Sequence, residues 1–190
     1  TLFNALKFSG RTKKNIGIGI FNAIGAPMQA KVLDKADNTV KSFETEPLAN
    51  YNVVVIDKPL RGQSFINFTN TNKLKAGVAR DANVSSLQWL QFGKQEKHSL
   101  GITAKLSTQH DVKYRLGSSI SSEFRKTAGK FRYGISAGIL TPKFDQSDMG
   151  LQFDLNESVQ TLSLSYAENK PLLPFLQTYR ISTDHTLRFN

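Results

Sequence analysis

Few residues in this chain have the types and spacing that chemistry needs. His98, His110 and His185 are dispersed, and none stands four residues from another, as a two-histidine metal site on a helix requires. Asp145, Asp148 and Asp154 invite a calcium reading. An EF-hand loop needs a glycine and a closing glutamate at fixed offsets, and both are wrong here. Gly17-Ile18-Gly19-Ile20-Phe21-Asn22 opens like a dinucleotide fingerprint, but the third glycine is missing and no helix pattern follows to cradle a phosphate. No serine sits in Gly-x-Ser-x-Gly. The absence of cysteine excludes disulfides, thiolate metal sites and cysteine nucleophiles. The expectation is a protein with no catalytic residue, no cofactor and no metal.

Charge is the other chemical resource. The net charge is +10, which raises nucleic-acid binding. The basic residues do not collect on one helix or stripe. Lys13-Lys14, Lys58, Arg61, Lys94 and Lys97 fall at strand ends and turns, so they read as solvated rims, and no nucleic-acid partner is expected. One group stands out. Lys113, Arg115, Arg125, Lys130 and Arg132 fall on the polar faces of neighbouring strands, with Glu123 the only nearby acid. Around a pore, such a basic wall would favour anions.

Period-two alternation positions these residues. In the strand predicted over 112–124, Val112, Tyr114, Leu116, Ile120 and Phe124 share one face, and Lys113, Arg115, Gly117, Ser119 and Glu123 the other. The strand over 130–140 sets Phe131, Tyr133, Ile135 and Ile139 against Lys130, Arg132, Gly134 and Ser136. About twelve strands are expected: 2–9, 16–24, 28–33, 47–57, 63–72, 84–92, 98–108, 112–124, 130–140, 149–156, 159–167 and 176–190. The longest aliphatic run is Val53-Val54-Val55-Ile56, far short of the roughly 20 residues of a spanning helix. A barrel strand needs only about 10 residues, half of them apolar.

Two features favour a membrane barrel over a soluble sandwich. The polar faces are rich in small residues, and aromatics (Tyr114, Phe124, Phe131, Tyr133) stand near the ends of the apolar faces, like interfacial girdles. Trp89 reads as a further interface anchor. The connections also alternate. Tight turns are expected at 25–27, 58–62, 93–97, 125–129 and 157–158. Longer loops are expected at 34–46, 73–83, 141–148 and 168–175, with 10–15 and 109–111 as short members of that set. Short turns on one side and long loops on the other are a barrel's two ends. Loop 34–46 is expected to continue as a hairpin above the membrane, with its tip near Asp37-Asn38.

Several segments resemble one family. They are Gly17 to Ala23, Glu46-Pro47-Leu48-Ala49-Asn50-Tyr51-Asn52-Val53-Val54-Val55, Ser64 to Asn72, Asp81-Ala82-Asn83-Val84 and Ser147-Asp148-Met149-Gly150. Together they resemble the C-terminal barrel of an uncharacterised Gram-negative outer-membrane family, whose members carry an N-terminal domain like a family-9 carbohydrate-binding module. The resemblance covers most of residues 8–155 and implies no activity or catalytic residue that could be carried over.

The reading is therefore an all-β, antiparallel transmembrane β-barrel segment over residues 1–190, part of a larger barrel and incomplete at both ends. Its expected place is the bacterial outer membrane, as a channel, a transporter-like pore or a membrane scaffold of an envelope complex. Its expected partners are outer-membrane lipid, the remainder of the barrel and other envelope proteins. The competing reading is a soluble β-rich binding module of the glycan-binding type.

Overall fold

The computed structural model describes residues 2–36, 38–77, 80–111, 113–147, 156–169 and 178–190. They form an all-β, antiparallel fold. Ten strands make one sheet and two make a separate hairpin. The strands are β1 (Leu2–Arg11), β2 (Gly17–Gly25), β3 (Met28–Asp34), β4 (Thr39–Glu46), β5 (Ala49–Pro59), β6 (Phe65–Lys75), β7 (Asp81–Phe92), β8 (His98–His110), β9 (Tyr114–Lys126), β10 (Phe131–Leu140), β11 (Glu157–Glu168) and β12 (Tyr179–Phe189). In the large sheet every strand pairs with the next in sequence, except that β2 passes over the hairpin to β5. No pairing joins β1 to β12 among the described residues, so the sheet is open at both edges.

Three expectations need correction. The strand predicted over 28–33 is not part of the large sheet. It pairs with β4 in the hairpin, and β2 pairs with β5 instead. Cross-strand matching explains the choice, because Ile18 meets Ile56 and Ile20 meets Val54, apolar pairs that stabilise a sheet. Across β3 and β4 apolar matching is only partial: Leu33 meets Val40 and Ala30 meets Phe43, but Val32 meets Lys41 and Lys31 meets Ser42. Consequently the turn at 25–27 lies at the opposite end from those at 58–62, 93–97 and 125–129, together with 34–46, 73–83 and 141–148. Conversely, the connection after β1 and the one after β11 belong with the tight turns. Finally, Glu157-Ser158 is no turn: both residues lie in β11 and pair with β10.

The hairpin expected over 34–46 does form, with β4 returning along β3. Val112, Asp37, Asp148, Asp154 and all but Asn156 of the strand predicted over 149–156 lie outside the described residues.

The tight turns follow ordinary turn chemistry. Between β5 and β6 the Leu60 N–H donates to the Ser64 carbonyl at 2.8 Å, and Gly62 takes a φ of +67° that side-chain-bearing residues rarely adopt.

Almost nothing is buried in a core. The buried apolar residues among those described are Ala23, Ala49, Ala82 and Phe144. The surface of the chain is 13445 Å², against about 9,000 Å² for a compact monomer of this mass. The excess is the bare face of a single layer.

Candidate functional site

The register assigns every strand side chain to a face. One face takes Leu6 and Phe8 of β1, Ile18 and Ile20 of β2, Val54 and Ile56 of β5, Ile66 and Phe68 of β6 and Leu87 and Trp89 of β7. It continues through Leu100, Ile102 and Leu106 of β8, Leu116, Ile120 and Phe124 of β9, and Phe131, Ile135 and Ile139 of β10. Leu162, Leu164 and Tyr166 of β11 and Ile181, Leu187 and Phe189 of β12 complete it. These side chains have little over them: Ile120 is 53% exposed and Ile135 55%. Tyr114, Leu116, Phe131 and Ile139 are exposed as well.

Charge is sorted between the faces. On the apolar face the large sheet carries only Lys58, Asp81, Lys126 and Glu168, each at or next to a strand end. The opposite face carries the rest, which are ten basic residues and four acidic ones. The basic ones include Lys7, Arg11, Lys73, Lys105, Arg115, Arg125, Arg132 and Arg180. The acids are Asp57, Glu123, Glu157 and Asp184. Between these charges the polar face of β8 to β11 is built from small residues, among them Ser99, Gly101, Ser121, Gly134, Ser136 and Ser163.

The apolar stretch slants across the ladder. The row of paired residues through Ile18 runs through Ile56, Phe68, Leu87, Ala104, Ile120 and Ile139 and reaches β11 at Ser158. The centre of the apolar stretch in β11 is Leu164, further along the strand. At about 3.4 Å per residue and about 4.8 Å per strand this is a slant of roughly 30°.

One patch breaks the apolar face. Asn22, Asn50, Asn52, Asn70, Asn72, Asn83 and Ser85 lie together on β2, β5, β6 and β7, toward the end from which the hairpin emerges. Their amides satisfy one another. Asn22 Nδ2 donates to Asn50 Oδ1 at 2.6 Å and to Asn52 Oδ1 at 2.7 Å. Asn70 Nδ2 donates to Asn83 Oδ1 at 3.1 Å and to Ser85 Oγ at 2.9 Å.

The candidate basic wall is only partly assembled. Arg115, Arg125 and Arg132 do lie on the polar face. Arg125 and Arg132 share a pocket of ≈ 420 Å³ with Arg180, Ser163, Ser165 and Asp184, while Arg115 sits near the other end, paired with Asp111. Lys113 lies in the turn before β9 and Lys130 in the turn before β10, at opposite ends of the sheet. Lys130 is held by Glu168 at 2.5 Å, and that hydrogen bond raises its pKa above the ordinary lysine value. Arg180 is the basic residue that the sequence did not single out. The alternation of β12 alone puts it on the polar face.

Residues 1–190 match the model of a family described as a domain of unknown function, DUF5916. The chain belongs to this family. No curated protein and no solved structure matches it. Among the described residues no group of three His, Asp or Glu is placed to hold a metal ion, and no helix is long and apolar enough to cross a membrane. What the described residues of this DUF5916 chain present is the sheet itself: one exposed apolar face, one charged face.

Proposed function

We propose that this DUF5916 chain is transmembrane β-barrel wall of the bacterial outer membrane, with its apolar face against lipid and its charged face lining an aqueous lumen. Its role is that of a channel or transporter-like pore. The observation that carries the reading is the exposed apolar face, which crosses ten strands, is interrupted by the asparagine patch and by Thr183 and His185 of β12, and carries Lys, Arg, Asp or Glu only at or next to strand ends. A charge at mid-membrane on the lipid face of a barrel costs about 2–4 kcal/mol, so a lipid-facing surface must exclude charge, whereas a soluble surface has no such requirement. Soluble monomers rarely expose apolar patches beyond a few hundred Å², which counts against the glycan-binding module. The slant supports the same reading, since a level apolar band crosses tilted strands obliquely and barrel strands tilt by about 35–45°.

Hydrocarbon also imposes a condition on the edges. Among the described residues β1 and β12 each pair on one side only, and every orphan N–H or C=O in lipid costs several kcal/mol. We accordingly place further strands against both edges, from the same polypeptide or from another chain.

Extraction tests the proposal. The protein in its native envelope is expected to need detergent for release and to migrate differently on electrophoresis before and after boiling. Release by salt or carbonate alone, as a monomer with one mobility, would refute it.

A further inference from the structure

The loop after β10 does not stay outside the sheet, where the sequence put 141–148. Thr141 first extends the ladder. Its N–H donates to the Ser118 carbonyl at 3.0 Å, and its Oγ accepts from the Ser118 N–H at 2.8 Å. The Phe144 N–H then donates to the Thr141 carbonyl at 3.0 Å, and this turn carries the chain onto the polar face.

Phe144 comes to rest there, 2% exposed. Its seat is Gly117, where an added Cβ would lie 2.1 Å from the Phe144 nitrogen. No side chain fits there while the loop is down. Beyond it the Asp145 N–H donates to Ser107 Oγ at 2.9 Å, and Ser107 is 1% exposed. The Asp145 carboxylate accepts from the Ser147 N–H at 2.8 Å and stands 3.9 Å from the Arg80 guanidinium. Gln146 reaches over to close one side of a cavity of ≈ 390 Å³, lined also by Asn67, Thr69, Ser86, Gln88 and Lys105.

This is the reverse of a loop driven outward by hydration. A phenylalanine is packed onto the polar face, through a glycine that leaves room for backbone, on four hydrogen bonds to β8 and β9, the fourth from the Thr141 hydroxyl to the Ser118 carbonyl at 2.9 Å. We propose that Thr141–Ser147 is the constriction of the pore and that the cavity under Gln146 is where passing solutes are selected. Its lining is hydroxyl and amide groups with one ammonium and the apolar side chain of Val84, which fits small solutes that combine hydroxyls with an apolar face. Its volume corresponds to about a dozen waters, so the filter is one of size. The inference rests on the pore reading.

Residues 1–190 contain no cysteine, and any cysteine elsewhere in the full-length protein is first replaced by serine. Ser107→Cys is introduced into the full-length protein in its native membrane and treated with a membrane-impermeant thiol reagent. The same protein is reconstituted into liposomes, and swelling is followed in sugars of increasing mass. Gly117→Leu, which removes the seat, and Phe144→Ala, which weakens the anchor without crowding the sheet, are compared with their parent. The expected result is labelling of Cys at position 107 at least tenfold faster in either variant, with swelling extended to larger sugars. Faster labelling with an unchanged sugar cut-off would overturn the constriction. So would fast labelling both of the parent and of Gln109→Cys, a second buried position on the polar face of β8, because the loop would then not be seated; fast labelling at 107 alone would show that Ser107 Oγ holds the loop down. A protein that leaves the membrane without detergent would overturn the pore reading, and the constriction with it, and extraction identifies that case separately.

Discussion

Ile120→Lys separates a lipid-facing sheet from a wetted one more sharply than any other single change. Ile120 lies in the middle of β9, between Ala104 of β8 and Ile139 of β10, and is 53% exposed. In water an apolar side chain that open can become lysine at a cost within about 0.5 kcal/mol. Near the middle of a bilayer the same change costs about 2–4 kcal/mol, or roughly 30- to 800-fold in the folding equilibrium. Ser119→Lys is the control. It is one residue away on the opposite face, directly across from Lys105, and in a hydrated lumen it should cost well under 1 kcal/mol, chiefly from the neighbouring ammonium. Both variants and the parent are folded into phospholipid vesicles and titrated with denaturant, with tryptophan emission as readout. A difference of at least about 1.5 kcal/mol between the two lysines is expected. Equal costs, or Ser119→Lys as the more damaging, would refute the assignment of faces.

Trp89, the one tryptophan of residues 1–190, gives an independent check once any tryptophan outside this segment is replaced by phenylalanine: it shares the apolar face with Ile66 and Ile102, so its emission should be blue-shifted and quenched by brominated lipid, and quenching by iodide alone would contradict this. The loop should respond to pH in one direction. Burial pushes the Asp145 carboxyl up, but hydrogen bonds from Ser147 and the charge of Arg80 outweigh it and hold the group below its ordinary value. Its contribution to docking is therefore complete above about pH 4 and lost as pH falls through the lowered value. Labelling of Ser107→Cys should be flat from pH 8 to about 5 once corrected for thiolate fraction, and should rise only in acid; a rise beginning above pH 6 would exclude Asp145 as the cause. Asn22→Ala removes the donor shared by Asn50 and Asn52 and should cost about 1–3 kcal/mol if the patch is away from water, in the same vesicle titration; no cost would mean that water replaces the bonds.

Alternation within single strands was legible because it is local. The faces of β9 and β10 follow from Leu116, Ile120, Ile135 and Ile139 on one side and Arg115, Ser119, Arg132 and Ser136 on the other, and the ladder places each of them accordingly. Partner choice was less legible. Met28 to Asp34 has the composition of a strand, and only the match of Ile18 and Ile20 to β5 shows that it is passed over. That one slip moved the turn at 25–27 to the wrong end. The basic wall suffered from a related limit: alternation gave Lys113 and Lys130 a face, but each sits in a turn, where the period of two no longer applies.

Two features depend on register across several strands, and no local pattern could announce them. The asparagines at 22, 50, 52, 70, 72 and 83 occupy alternating positions that each look like routine polar interruptions. They become one patch only when four strands are laid side by side. The seat of the inward loop is similar. Gly117 alternates with Leu116 and Ser118 as any small lumen residue would, and Ser107 is one serine among many. What makes them a site is that β8 sets Ser107 directly opposite Gly117, and that β10 delivers Phe144 and Asp145 above the pair. Phe144 is the clue the sequence did offer, being an isolated aromatic between Lys143 and Asp145 in a loop otherwise polar. Gly117 receives the backbone of Lys143 and Phe144, and with the backbone that close to the sheet Phe144 is out of water, a burial worth about 1.5–3 kcal/mol. The same arithmetic explains why the loop folds toward the polar face. The apolar face has no glycine at that level, so the seat for Phe144 lies on the polar face, the side proposed above to line the lumen.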